Sequence, residues 1–404
     1  MDISKFNTVA NYNIEQSIPQ QCQEGIWVGR VWLDSYTATN SVAGPRIVSA
    51  KNGHIVDLSA HYSTMADLFN DENRNSTINQ CDGPIIGTIN QILKNSQFNH
   101  PVQGATLLAP NDIQSVKACG VTFIRSLLER VIEEQARGDA TKAASIRDKI
   151  TQVIGSNLAN IKPGTEQTEL LKQSLIQQGI WSQYLEVGIG PDAEVFTKAQ
   201  ALSSVSSGSQ IGVLSTSHWN NPEPEVVMAV TPSGEIIGAT LGNDVNLRDY
   251  EGRSALLLGK AKDNNGASSI GPFIRLFDET FSLDDVKQCA VTLTITGEDE
   301  FVTTGENLMS EISRSPEELV SQTLNRNHQY PDGMMLYLGT MFAPTEDRDN
   351  AGEGFTHKVG DRVEISTPKL GSLVNWVNHC HDIPVWDYGI HQFISYLTAT
   401  NQEG

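Results

Sequence analysis

The chain has 404 residues, 39% of them hydrophobic, with 28 Lys and Arg against 48 Asp and Glu for a formal net charge of -20. That length suffices for one large or two ordinary domains with a substantial core. The acidic balance argues against nucleic-acid partners and an anionic membrane surface, yet admits a small anionic substrate wherever a bound cation sets the local field.

Residues 1–20 are polar and read as loose. They show no basic segment followed by an apolar one, so no signal peptide is read, and no run approaches a membrane span. From Gly25 to Ala60, three short β-rich runs, 26–32, 45–50 and 54–58, alternate with turns, and Asn52-Gly53 is a strong hairpin signal. A small N-terminal β-rich domain is read over residues 1–110, with the main domain over 111–404. A helical segment follows at about 121–180. In it Ile124, Leu127, Leu128, Val131 and Ile132 recur at helical spacing behind a candidate N-cap, Thr122. Further helices are read at Lys142–Ile154 and Glu166–Gln178. From Tyr184 to about residue 378 strand-like runs dominate, with helices expected at Asp249–Leu258 and Pro316–Asn325.

Five scattered cysteines (Cys22, Cys81, Cys119, Cys289, Cys380) form no CxxC pair, which fits reduced thiols in a cytoplasm. His379-Cys380-His381 lacks a second ligand pair at zinc spacing and reads as a surface loop. Dinucleotide, P-loop, HExxH and GxSxG patterns are absent, which disfavours nucleotide enzymes, zinc proteases and α/β-hydrolases.

The chemistry-bearing stretch is Glu223-Pro224-Glu225, followed by Asn243-Asp244-Val245-Asn246-Leu247-Arg248-Asp249. Glu223 and Glu225 are two apart, so on a strand both side chains leave one face. The turn Pro232-Ser233-Gly234 and the returning run 235–242 bring Asp244 back beside them. Three anionic oxygen donors suit a hard cation, Mg²⁺ before Ca²⁺ or Mn²⁺. A solvated acidic strand edge is the other reading of the same spacing.

These motifs, with Phe196-Thr197-Lys198, Ser269-Ile270-Gly271-Pro272-Phe273, Met309-Ser310-Glu311-Ile312, Leu338-Gly339-Thr340 and Val359-Gly360-Asp361-Arg362, resemble the fumarylacetoacetate hydrolase superfamily. The resemblance implies an α+β fold with a mixed β-roll catalytic core, usually dimeric. It implies a Mg²⁺ held by Glu223, Glu225 and Asp244, and substrate contacts from Thr340, Lys198 and Arg248.

The departures from the family pattern narrow the reaction. Its carbon–carbon hydrolases carry a His–Glu pair that activates water. The matching run here, Thr122-Phe123-Ile124-Arg125-Ser126-Leu127-Leu128-Glu129, keeps Glu129 but has Ser126 in place of the His. A serine hydroxyl is no base near neutral pH without its own activator. The run Ala261-Lys262-Asp263-Asn264-Asn265 instead resembles the family's 2-keto-3-deoxy sugar acid dehydratases. That resemblance implies Lys262 as base, with Lys260 as the competing lysine, and Glu194 as proton donor to the leaving group. A neighbouring cation would disfavour the charged form of Lys262. The expected activity is Mg²⁺-dependent dehydration of a small 2-oxo acid, a 2-keto-3-deoxypentonate giving 2,5-dioxopentanoate, in a cytoplasmic homodimer or higher homo-oligomer of pentose catabolism. The alternatives are acylpyruvate hydrolysis or oxaloacetate decarboxylation at the same metal, and a non-catalytic sugar-acid binding protein.

Overall fold

In the computed structural model, which describes residues 17–19, 24–34, 42–98, 104–143, 145–147, 162–177, 179, 181–350, 352 and 354–402, the β-rich runs become eighteen strands. Five come early: β1 (Trp27–Leu33), β2 (Gly44–Lys51), β3 (His54–Asp57), β4 (Ile85–Thr88) and β5 (Thr106–Leu108). β6 (Ser115–Gly120) and β7 (Glu194–Ala199) bracket the helical segment. The acidic region supplies β8 (Gln210–Val213), β9 (Asn220–Asn221), β10 (Pro224–Val230), β11 (Ile236–Asp244), β12 (Asn246–Leu247) and β13 (Ser268–Leu276). β14 (Ala290–Thr296), β15 (Val302–Leu308), β16 (Met334–Tyr337), β17 (Arg362–Thr367) and β18 (Gly371–His379) follow.

The larger sheet runs β4-β3-β2-β1-β13-β11-β10-β16-β6-β7, with β5 added on β1, and is antiparallel except between β16 and β6. The β1–β13 pairing carries this sheet across the boundary expected near residue 110. A second sheet runs β15-β14-β17-β18-β8, and the fold is α+β. No helix among the described residues is long and apolar enough to cross a membrane.

The continuous apolar run of β10 has a simple cause: both its faces are covered. Val226, Met228 and Val230 join a core completed by Val291, Leu293, Ile295, Val363 and Ile365 of the second sheet. Val227 and Ala229 join an opposite core that Met65, Leu68 and Phe69 of the helix Met65–Asn70 help to fill. At the β2–β3 turn, Asn52 and Gly53 take φ of 51° and 77°, the left-handed pair a two-residue hairpin needs.

The amphipathic helix forms at Ile124–Ala136 and buries Leu127, Val131 and Ile132 against Leu185 and Ile189. Its N-cap is Phe123 rather than Thr122, because the Thr122 hydroxyl donates instead to the Leu338 carbonyl at 2.6 Å. Helices form at Glu166–Gln177 and Pro316–Thr323, near the expected bounds. The helix expected at Asp249–Leu258 is broken into Arg248–Glu251, a 3-10 turn at Ala255–Leu257 and Leu258–Lys262. Gly252 ends the first piece, and Ser254 caps the next through its hydroxyl. The helix expected at Lys142–Ile154, the loose residues 1–20 and Cys22 lie wholly or largely outside the described residues. His379-Cys380-His381 sits at the end of β18 with His381 exposed, as expected of a surface loop.

Gly242 faces Glu225 in the β10–β11 register, and a Cβ there would run into the Tyr337 ring and Val227. Gly242→Val is therefore expected to lower unfolding free energy by about 1–3 kcal/mol through overpacking. Urea denaturation checks this, and an unchanged midpoint would contradict the packing.

Candidate active site

The β10–β11 hairpin closes at its open end with Pro224 opposite Asn243, and the Asp244 amide donates to the Glu223 carbonyl at 3.0 Å. Glu223, Glu225 and Asp244 are thereby gathered so that one carboxylate oxygen from each lies within 4.8 Å of the others. All three are buried, which removes the solvated-edge reading. Glu225 also accepts the Gly339 amide at 2.7 Å, and Gly339 has φ of 98°, a conformation that suits glycine.

Three cations surround these anions. Lys262 Nζ lies 2.5 Å from Glu223 Oε2 and 3.0 Å from Asp244 Oδ2, over the Phe196 ring. Lys198 Nζ lies 2.7 Å from Asp244 Oδ1 and donates to the carbonyls of Val245 and Lys262 at 3.1 and 2.5 Å. Arg130 pairs with Glu223 through Nη2, while its Nη1 lies 2.8 Å from Glu133 and 3.2 Å from Glu251. The short helix Leu258–Lys262, which follows the break at Gly252, buries Lys262 and leaves Lys260 exposed.

Burial and its neighbours set the protonation of this cluster. Burial, then the charges of Asp244 and Glu223, push Glu225 well above the usual carboxylate range. Burial would raise Asp244 as well, but Lys198 and Lys262 outweigh it and hold it low. Burial would lower Lys262, but Asp244, Glu223 and Glu251 raise it above an ordinary lysine. In the absence of a cation Lys262 is thus an ammonium, opposite to the lowered value expected beside a metal, because the carboxylates face it directly. Burial pulls Lys198 down against the opposing charge of Asp244. Glu194, on β7 opposite Gly120, is pushed up to about 7 by burial and then by Glu251. Gly120 makes room for that carboxylate, since a Cβ there would collide with Glu194 Oε2.

The remaining expected residues divide differently. Ser126 Oγ donates to the Phe123 carbonyl at 2.8 Å, a bond inside its own helix turn. Glu129 is gripped by Arg147 at 3.0 and 2.8 Å and by Arg248 at 3.0 Å. Despite burial, those arginines hold it below its ordinary range. Glu129 lines a cavity of about 330 Å³ with Arg125, Arg147 and Phe342, and none of the acidic trio lines it. Ser126 and Glu129, expected in catalysis, are therefore engaged in helix and ion-pair structure. Arg248, expected to bind substrate, instead donates to Glu133 at 2.6 Å and Glu129 at 3.0 Å while stacking 4.3 Å over Trp219. Lys198 is likewise fully occupied by protein oxygens. Thr340 Oγ1 donates to the Phe342 carbonyl at 2.9 Å.

Arg130, Glu133 and Glu251 went unread in the sequence. An Arg and a Glu three apart on a helix look like a surface pair. The signal available was their position beside Leu127 and Val131 on the buried stripe, which puts charge where a core is being built.

Residues 210–378 match the profile described as fumarylacetoacetate (FAA) hydrolase C-terminal. Over 194 residues the chain is 34% identical to a probable 2-keto-3-deoxyxylonate dehydratase of Haloferax volcanii, covering 48% of this chain and 63% of that one. Over 184 residues it is 34% identical to the 2-dehydro-3-deoxy-D-arabinonate dehydratase of Saccharolobus solfataricus, covering 45% and 57%. The matches thus span about three fifths of the length of these relatives. Among solved structures, a 2-keto-3-deoxy-D-arabinonate dehydratase in its apo form aligns with a TM-score of 0.59 at 21% identity, over 87% of this chain and 99% of that one. The same values hold for that enzyme complexed with magnesium and 2,5-dioxopentanoate. At that identity the likeness is one of fold. The hairpin that gathers Glu223, Glu225 and Asp244 lies inside the stretch that matches the fumarylacetoacetate hydrolase C-terminal model, residues 210–378.

Proposed function

We propose that this chain is a Mg²⁺-dependent hydro-lyase that dehydrates a 2-keto-3-deoxy sugar acid, converting a 2-keto-3-deoxypentonate to 2,5-dioxopentanoate. The observation that carries this is the buried lysine at the buried trio: Lys262 Nζ is 2.5 Å from Glu223 and 3.0 Å from Asp244. The names of the two curated relatives support it, as does the magnesium and 2,5-dioxopentanoate of the structural neighbour.

The donor set fits magnesium. Three carboxylate oxygens within 4.8 Å form a hard, anionic site, and Glu225 is the member with no ion pair among the described residues. Bound there, Mg²⁺ would supply Lewis-acid polarisation of the 2-oxo and carboxylate oxygens of the substrate. Lys262, once deprotonated, removes the C3 proton, and the C–H electrons move toward the 2-oxo group. The C4–O bond then breaks, and Glu194 gives its proton to the departing hydroxide, releasing water. A C5 proton then shifts to C3, and the product settles as 2,5-dioxopentanoate. Lys198 acts as a positioning residue, since it ties Asp244 to the Lys262 carbonyl. Arg248 positions the helix that carries Arg130. Thr340 has a rotatable hydroxyl and is assigned to the substrate carboxylate.

Hydrolysis is disfavoured on this reading because Glu129 is held by two arginines and Ser126 by its own helix. Cytoplasmic residence is supported by the free thiols Cys81, Cys119, Cys289 and Cys380. A homodimer or higher homo-oligomer is the assembly that the family resemblance supports.

The test is mass spectrometry of 2-keto-3-deoxy acids incubated with protein and Mg²⁺. Loss of water is expected. Efficient acylpyruvate cleavage with no water loss from any 2-keto-3-deoxy acid would reverse the assignment.

Two variants separate the proton transfers. Lys262→Met should stop deuterium exchange at C3 of 2-oxobutanoate, whereas Lys260→Met, at an exposed position, should leave it nearly intact; the opposite pattern would name the wrong base. Glu194→Gln should keep that exchange and lose dehydration. Because Glu194 acts in its protonated form, and burial and then Glu251 push it up to about 7, the ratio of the dehydration rate to the C3 exchange rate, in which the ionisation of Lys262 cancels, should fall as pH rises through that value. A profile flat from pH 6 to 8 would remove Glu194 from the role.

A further inference from the structure

Beside the carboxylates lies a second set of buried polar groups that these proton transfers leave unused. β9 and β12 pair through two residues each, Asn221 opposite Asn246 and Asn220 opposite Leu247. Val245, which links β11 to the separate two-stranded sheet of β9 and β12, and Leu247 both enter the apolar core, so alternation turns Asp244 and Asn246 to the opposite side of the chain, the side on which Asp244 joins the acidic trio. Asn221 stands across from Asn246, and cross-strand partners share a face. Asn221 also precedes Glu223 by two positions.

Both asparagines are 0% exposed. The Asn221 amide nitrogen donates to the Pro222 carbonyl at 2.8 Å, but its Oδ1 has no hydrogen-bond partner among the described residues. Among the described residues neither Oδ1 nor Nδ2 of Asn246 has one. The adjacent Asn220 differs: its Oδ1 accepts the His357 amide at 3.3 Å and its Nδ2 donates to Ser217. A buried polar atom left unsatisfied costs about 1–3 kcal/mol. Three such atoms on the face of the trio therefore call for something that bonds to them. Two carbonyl oxygens and one amino group make a neutral set of acceptors and a donor. A hydroxyl, which both donates and accepts, matches it, whereas a second anion beside three carboxylates does not.

We infer that Asn221 and Asn246 bind the C5 hydroxyl of the sugar acid and select hydroxylated over deoxygenated 2-oxo acids. The inference rests on the function proposed above. An analogue lacking the hydroxyl leaves the amides unpartnered, which is how a site built for a hydroxyl rejects its deoxy counterpart.

The test compares 2-keto-3-deoxypentonate with 4-hydroxy-2-oxopentanoate, which lacks only the C5 hydroxyl. Calorimetric binding to Lys262→Met protein in Mg²⁺ reads affinity without turnover, and kcat/KM on the otherwise native protein reads selectivity. With both asparagines present the hydroxylated acid should bind roughly 10–100-fold more tightly. Adding Asn246→Ala should bring that ratio close to one. Asn221→Ala should lower it as well and serves where Asn246→Ala does not fold. A ratio unchanged in the variants, or affinity for both acids falling in parallel, would overturn the inference and leave the amides as partners of buried water. A native protein that dehydrates neither acid would instead overturn the proposed function, and the two failures are distinct.

Discussion

Burying three carboxylates at one point is the constraint around which the structure is arranged. Each loses its hydration, and each would repel the other two at short range. The fold answers with Lys262, Lys198 and Arg130, drawn from three different elements. Those cations are in turn buried, and Arg130 recruits Glu133 and Glu251, while Arg248 joins Glu133 to Glu129. The result is a continuous buried ionic network running from the sheet end to the helix Ile124–Ala136. Glu225 is the uneven member. Among the described residues it has an amide donor, Gly339, and no ion pair, and burial with the charges of Asp244 and Glu223 holds it above the usual carboxylate range.

A site of this kind needs a frame that does not yield. β10, β11 and β13 lie side by side, β10 and β13 buried at every residue and β11 at all but its first. Shifting the hairpin register by one would turn Val226 and Met228 out of their core, so packing and ligand geometry are fixed by the same pairing. Lys198 adds a second lock by bonding the carbonyls of Val245 and Lys262, which ties the proposed base to the hairpin that carries the acids.

The sequence made legible what depends on short-range periodicity. The i, i+2 spacing of Glu223 and Glu225, the turn at Pro232-Ser233-Gly234 and the return to Asp244 brought the trio together, while a solvated edge fitted the same spacing until burial removed it. The helix from Ile124 and the Asn52-Gly53 turn were equally local. What escaped depended on distant partners. Thr122 has the residue type of an N-cap, but Leu338, remote in sequence, takes its hydroxyl. The joining of β1 to β13 in one sheet has no local signature. Arg248 and Lys198 look like ligand-binding cations until Glu133, Glu129 and Asp244 are placed against them. Lys262 was separated from Lys260 only by resemblance, since no pattern foretold that the helix would break at Gly252.

Metal and proton are linked at Glu225, and that linkage is the most direct measurement of the central claim. Mg²⁺ titrated calorimetrically into the metal-free protein at pH 7, in two buffers of different ionisation enthalpy, reports both affinity and protons exchanged. Binding should release protons, because Glu225 is held above its ordinary range without the cation and must ionise to ligate it. In Glu225→Gln, affinity should fall and the Glu225 proton should disappear from the balance. Equal affinity in the two proteins, with no buffer dependence in either, would contradict a cation site built on Glu223, Glu225 and Asp244.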